Sequence, residues 1–221
     1  MTDAESRAAD EQRAADAELP SAERLKAFTD AVVAIAMTLL ILPLMDSVTD
    51  ATESSAGAWV AAEWPSLLTF MLSFVLIANF WLTHHRMFAR VTHVDQGLLW
   101  LTIVWMFTIV WLPVATAITS TFDPDPIEKL LYVGSLILTS LVLTLTRVYL
   151  IRHPELHHES QDKFRDGLAV GVIITVLFGV ALLLMFAIPA LNYWWLFVLF
   201  LTRPIYAIVV RTWDRRTQPR A

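Results

Sequence analysis

The chain reads as an all-α, polytopic membrane protein with six transmembrane helices, and three observations predict that class. Hydrophobic residues make up 57% of the 221 and charged residues only 17%, with a mean hydropathy of +0.58, far too apolar for a water-soluble domain of this length. The apolar residues fall into six runs, at roughly 26–45, 59–83, 97–121, 127–151, 167–189 and 191–210, each near the roughly 20 residues that cross a bilayer. Basic residues gather at alternate ends of those runs. Six spans leave only short loops and two tails, so no separate soluble catalytic domain fits. Cysteine is absent, which removes disulfides, thiolate nucleophiles and cysteine-ligated metals.

Residues 1–23 form a tail. Asp3, Glu5, Asp10, Glu11, Asp16, Glu18 and Glu23 stand among alanines, with no apolar run of the kind that precedes a signal cleavage site. The six-span region is expected over 24–210, and 211–221 is a second tail.

The first run opens with Arg24 and Lys26, and the segment after it, Met45 to Glu53, has no Lys or Arg. The second run carries Trp59 and Trp64 at one end and Trp81 at the other, where Arg86 and Arg90 follow. The third holds Trp100, Trp105 and Trp111 deep within it, as expected for bulky packing against a neighbour. A hinge, Phe122-Asp123-Pro124-Asp125-Pro126, again lacks basic residues. Arg147, Arg152, Lys163 and Arg165 flank the connection from the fourth run to the fifth. Tyr193, Trp194 and Trp195 open the sixth, and Arg211, Arg215, Arg216 and Arg220 follow it. Only Lys129 breaks the pattern. Charges and aromatic belts therefore predict a multi-pass protein of the cell membrane with both termini cytoplasmic.

Within the first run an acid, Asp30, sits among apolar residues. At mid-helix a carboxylate costs at least ~2.5–3.5 kcal/mol, so it should face protein or water and have a partner. Either it is an interfacial acid paired with Arg24 or Lys26, or it fastens this helix to another. At about 100° per residue, Phe28, Ala31, Ile35, Thr38, Leu39 and Leu42 share one stripe, with Asp30 more than a right angle from its centre. Periodicity alone leaves that stripe open between helix packing and lining a path.

Three function classes compete for such a chain. An intramembrane metalloenzyme is suggested by His84-His85, His93, His153, His157 and His158, but Pro154 interrupts the His153 to His157 spacing and all of them lie at or beyond one interface. A secondary transporter would need broken helices in corresponding positions of two repeats; Pro113, Pro189 and Pro204 are present without a convincing internal repeat. The third class is a channel.

The run Arg24-x-x-x-Phe28-Thr29-Asp30, followed by Ala34-Ile35-x-x-Thr38-Leu39-Leu40, resembles the Arg-x-x-x-Phe-Ser-Asp signature of the TMEM175-type potassium channels and their prokaryotic relatives. Phe80-Trp81-x-x-His84 in the second run is similar to that family as well. Thr29 stands where the family usually has Ser, which keeps the hydroxyl and adds a methyl.

The resemblance implies a prokaryotic single-repeat member, a non-canonical tetrameric cation channel without a glycine-rich carbonyl filter. Four copies of the first span would surround the axis. Ile35, Leu39 and Leu42 would form stacked apolar rings that gate by dewetting, because alkyl groups cannot replace an ion's hydration shell. Thr38, through its hydroxyl or through carbonyls loosened by back-bonding to Ala34, is the candidate for selecting potassium over sodium. Arg24, Phe28, Thr29 and Asp30 would anchor the pore helix, with Asn79, Trp81 and His84 on the second span as partners. Potassium is then the permeant species, the partners are three further copies and the lipid bilayer, and no cofactor, metal or nucleic acid is expected.

Overall fold

The computed structural model describes residues 22–52, 55–121, 125–158, 161–202 and 206. The tail 1–21, the tail 211–221, the hinge positions 122–124 and Pro204 lie outside the described residues.

Five helices among the described residues are long and apolar enough to cross a membrane: Ala22–Thr49, Trp64–Phe88, Gln96–Thr121, Pro126–Arg152 and Phe164–Ala187. The first is two helices in series, α1 (Ala22–Leu39) and α2 (Leu42–Thr49), and a short α3 (Ala56–Ala62) leads into α4 (Trp64–Phe88). Then come α5 (Gln96–Thr121), α6 (Pro126–Arg152) and α7 (Gln161–Ala187). The sixth segment differs from expectation. It begins as a 3-10 helix, Pro189–Leu201, because Pro189 supplies no N–H for an α-helical bond and restarts the chain immediately after α7.

Local chemistry sets these boundaries. Asp125 caps α6 by accepting from Glu128 N, and Ser55 caps α3 by accepting from Ala58 N at 3.2 Å. Asp95 does the same for α5, accepting from Leu98 N at 2.9 Å, while its other oxygen accepts from Tyr149 OH and so ties the start of α5 to the end of α6. Pro154 interrupts the α-helix, as expected, and the α6–α7 connection holds a single 3-10 turn, Pro154–Leu156. That turn pairs with the α4–α5 connection through Thr92 N to Leu156 O and His158 N to Arg90 O, both 3.0 Å, with a β-bridge between Val91 and His157.

Pro113 does not break α5, which runs through it. α5 is the central helix: Leu98, Thr102, Trp105, Ile109, Leu112 and Thr116 recur every three or four positions and are all buried. Around it pack α1, α4 and α6, and α7 packs on the far side of α6 with the Pro189–Leu201 helix against it. Of the three deep tryptophans only Trp105 is core. Trp100 and Trp111 are exposed on the outer surface of the bundle, Trp111 giving its indole N–H to Ser135 Oγ at 2.9 Å, because the α5 positions five before and six after Trp105 fall on its opposite face.

A ladder of small residues sets the α6–α7 approach. Gly167, Gly171 and Thr175 on α7 face Arg147, Thr144 and Ser140 on α6; a methyl at Gly171 would lie 2.8 Å from Thr144 Oγ1, and Ser140 and Thr175 exchange a 2.7 Å hydrogen bond. Toward the other end, Ser73 on α4, Thr116 on α5 and Tyr132 on α6 form a buried hydroxyl chain at 2.9 Å per link. Paired hydroxyls of this kind hold helices together in lipid, where apolar contact alone distinguishes them little from acyl chains.

Candidate functional site

α1 has two faces. Thr29, Val33, Ala36 and Leu40 are buried against α4 and α5, while Phe28, Ala31, Ile35, Thr38, Leu39 and Leu42 are exposed. Ile35 is 60% exposed and Phe28, toward the start of the span, 59%. Three of the four buried residues, Thr29, Val33 and Ala36, are small or β-branched, and the one polar member, Thr29, spends its hydroxyl on Leu25 O at 2.8 Å within its own helix.

Asp30 lies at the edge between the faces and is held by α4. Trp81 Nε1 donates to Asp30 Oδ1 at 2.7 Å, and His85 Nδ1 lies 3.8 Å from the same oxygen. Trp81 and His85 are one helical turn apart, with ring centres at 5.3 Å, so α4 offers a short aromatic wall to the carboxylate. Neither Arg24 nor Lys26 is the partner: Lys26 pairs instead with Glu23 at 2.9 Å, one turn back on the same helix.

The Phe80-Trp81-x-x-His84 motif divides between two neighbours. Phe80 is buried and meets Phe178 on α7 at 6.1 Å. His84 is stacked between Phe88, at 4.1 Å, and Trp105, at 4.2 Å and an interplanar angle of 10°. Its Nε2 and the Trp105 Nε1 are buried without a hydrogen-bond partner among the described residues. Of the expected α4 partners, therefore, Trp81 reaches Asp30, whereas His84 fixes α4 to α5 through ring stacking. Asn79 turns back and donates to Val75 O at 2.8 Å, because its position two residues before Trp81 faces a different side of the helix. Arg24 and Phe28 are exposed, and among the described residues neither is joined to another span by a hydrogen bond or ion pair. The sequence points to His85 only as a candidate metal ligand and not as a partner of Asp30, although its place four residues after Trp81 is a usable signal.

Thr38 sits where the helix yields. Pro43 has no N–H for the Leu39 carbonyl, α1 ends at Leu39, and Ile41 N closes a tighter turn on Thr38 O at 3.3 Å. The Thr38 hydroxyl donates to Ile35 O at 2.7 Å rather than to Ala34, since the chain is already tightening toward three-residue spacing. Thr38 thus stands at a break, on the exposed stripe, with Leu39 and Leu42 beside it.

The histidines do not assemble. His84 is in the α4–α5 stack, His153 stacks on Tyr149 at 4.1 Å and His157 lies against Phe164 at 4.4 Å; among the described residues no three His, Asp or Glu side chains converge on a point where a metal could sit.

A family model described as the endosomal/lysosomal potassium channel TMEM175 matches residues 24–113, from the Arg24 signature through α4 and most of α5. Over these residues the chain is similar to the TMEM175 family. Among TMEM175-like relatives, a protein of Streptomyces collinus described as a potassium channel is 36% identical over 101 residues, 45% of this chain and 48% of its own. A second, from Chryseobacterium and also described as a potassium channel, is 28% identical over 80% of this chain and 90% of its own. The chain thus spans about half the length of the first relative and most of the second. The crystal structure of a lysosomal potassium-selective channel TMEM175 homologue from Chamaesiphon minutus superposes with a TM-score of 0.56 over 85% of this chain and 96% of that one, at 22% identity, which shows a shared fold.

Proposed function

We propose that this chain is a member of the TMEM175 family and a potassium-selective ion channel of the cell membrane, assembled as a homotetramer in which four copies of α1 and α2 surround the ion path. The observation that carries the reading is the exposed stripe of α1 that runs on to the start of α2, with Ile35 at 60% and Leu42 at 52%, while the opposite face of α1 is packed against α4 and α5. A polar break is set into that stripe at Thr38. Two similar proteins are described as potassium channels.

Placed around an axis, Ile35, Leu39 and Leu42 form stacked apolar rings. A narrow alkyl ring expels water, so an ion passes only when the ring widens enough to admit its hydration shell. Thr38 then supplies oxygen to a partly dehydrated cation, from its hydroxyl or from the Leu39 carbonyl that Pro43 leaves without a helical donor. The Asp30–Trp81–His85 cluster keeps α1 in register with α4 and does not touch the ion. Both termini lie in the cytoplasm by the placement of Arg86, Arg90, Arg147 and Arg152.

The test is electrophysiology of the purified protein in planar bilayers under defined potassium and sodium gradients. Unitary current steps whose reversal follows the potassium gradient are expected. Saturable flux that stops when a proton or sodium gradient is collapsed, without unitary steps, would make the protein a transporter instead.

A further inference from the structure

Between α4, α6 and α7, at the ends marked by Arg86 and Arg152, lies a cavity of about 340 Å³ outside the α1 stripe, within the size range of small-molecule sites. Phe80, Leu143, Val170 and Ile174 give it apolar walls, and Arg86 and Arg147 bring two guanidinium groups to it. Arg147 projects from the interior of a span, five residues before the Arg152 end of α6 and so about 7.5 Å along the helix. It lies against Gly167, where any larger side chain would occupy the space of its Nη1. Among the described residues no carboxylate is within ion-pair reach of Arg147 or Arg86.

An arginine inside a span costs several kcal/mol unless it meets an anion or water (~2.5 kcal/mol or more). This one is held in a built notch and open to a cavity with a second arginine at its rim. Paired guanidinium forks match the oxygens of a phosphate. The walls are mostly alkyl and aromatic, which suits a phosphate carrying hydrocarbon chains and penalises a small hydrated anion that would lose its water for nothing. We propose that the cavity seats the phosphate headgroup of one anionic phospholipid, from the leaflet at the Arg86 and Arg152 ends, with its acyl chains along Phe80, Leu143, Val170 and Ile174. The lipid would wedge α4 apart from α6 and α7, and this assignment is independent of which helix lines the ion path.

Native mass spectrometry of the purified full-length protein in neutral detergent tests this, with phosphatidylglycerol or phosphatidylcholine added in turn. One phosphatidylglycerol per chain is expected, held about tenfold more tightly than phosphatidylcholine, the scale of one or two charge-assisted hydrogen bonds. Arg147→Gln and Arg86→Gln should each remove that preference, and Arg147→Lys should leave it intermediate because it keeps charge without the fork. Arg86 is exposed, so its substitution reads binding even if the Arg147 variants fold poorly. Equal retention of the two lipids by the unaltered protein overturns the proposal, as does undiminished phosphatidylglycerol binding in Arg86→Gln and Arg147→Gln. Inorganic phosphate alone is expected to give no stoichiometric adduct; an Arg147-dependent phosphate adduct together with no lipid preference assigns the cavity to a free anion and overturns the lipid reading.

Discussion

The indole N–H of Trp81 donates to the Asp30 carboxylate at 2.7 Å, and this contact joins the first span to the second at the point where the packed and exposed faces of α1 meet. A carboxylate at that depth needs a donor, and Trp81 brings one on a ring that also fills space beside α1. His85, a turn further on, adds a second nitrogen at 3.8 Å. The rotation of α1 about its own axis, and hence which residues are exposed, follows from this bond and from the burial of Thr29, Val33, Ala36 and Leu40.

Trp81→Phe keeps the ring and removes the donor. It should destabilise the protein by about 1–2 kcal/mol, the upper range for interhelical hydrogen bonds in membranes. Thermal unfolding in detergent checks the magnitude, and His85→Ala should cost less because its nitrogen is beyond hydrogen-bond distance. An unchanged melting temperature in Trp81→Phe argues against anchoring by this pair.

His84 contributes through its ring faces rather than through a polar bond. Replacement by Phe preserves the stack with Phe88 and Trp105 and deletes a buried nitrogen that has no partner among the described residues, so His84→Phe should be neutral or slightly stabilising. His84→Ala opens a cavity and should cost about 2–4 kcal/mol. A large loss in the Phe variant would point to an essential ring nitrogen.

Potassium flux into proteoliposomes should rise when Ile35 is shortened to Ala or made polar as Asn, because a wider or wetter ring lowers the dewetting barrier. Leu39→Ala and Leu42→Ala should act in the same direction. Flux indifferent to all three positions removes α1 from the ion path.

Thr38→Ala should retain flux and lose discrimination between potassium and sodium. The reversal potential in mixed-ion solutions reads this directly. A reversal potential identical to that of the unaltered protein places selectivity elsewhere.

Gly171→Val pushes side-chain atoms into Thr144, whose Oγ1 already lies 2.8 Å from the first added carbon. Overpacking of this kind costs about 1–3 kcal/mol, and Thr144→Ala in the same chain should recover part of it. Gly134→Ala is the contrasting case. The added methyl there meets only Leu130 Cδ1 at 3.8 Å, so helix propensity should dominate and stabilise by up to about 1 kcal/mol. Melting temperatures of the four proteins separate packing from propensity.

The spans were legible in the sequence because hydropathy and span length are properties of consecutive residues. Five of the six expected runs correspond to spans within a few residues of their predicted ends, the first of them broken after Leu39, and Pro154 interrupts the helix where expected. The sixth run departs at Pro189, where a single ring without an N–H changes the helix type locally. On α5 the expected packing is met by Trp105 in the core and by Trp111 through Ser135 on α6, while Trp100 lies exposed, since hydropathy does not report which face of an apolar helix meets its neighbours.

The sequence by itself determined that the chain lives in a bilayer, roughly where its spans lie, and that α1 carries an apolar stripe set apart from an acid; each is a matter of spacing along one helix. Only the tertiary structure decided that Asp30 is held by Trp81 and His85 rather than by Arg24 or Lys26, that His84 is a stacking residue, and that Asn79 bonds its own helix. Those outcomes depend on how α4 is rotated against α1 and α5. That rotation is set by the summed packing of many side chains across three helices, which no single helix's periodicity contains.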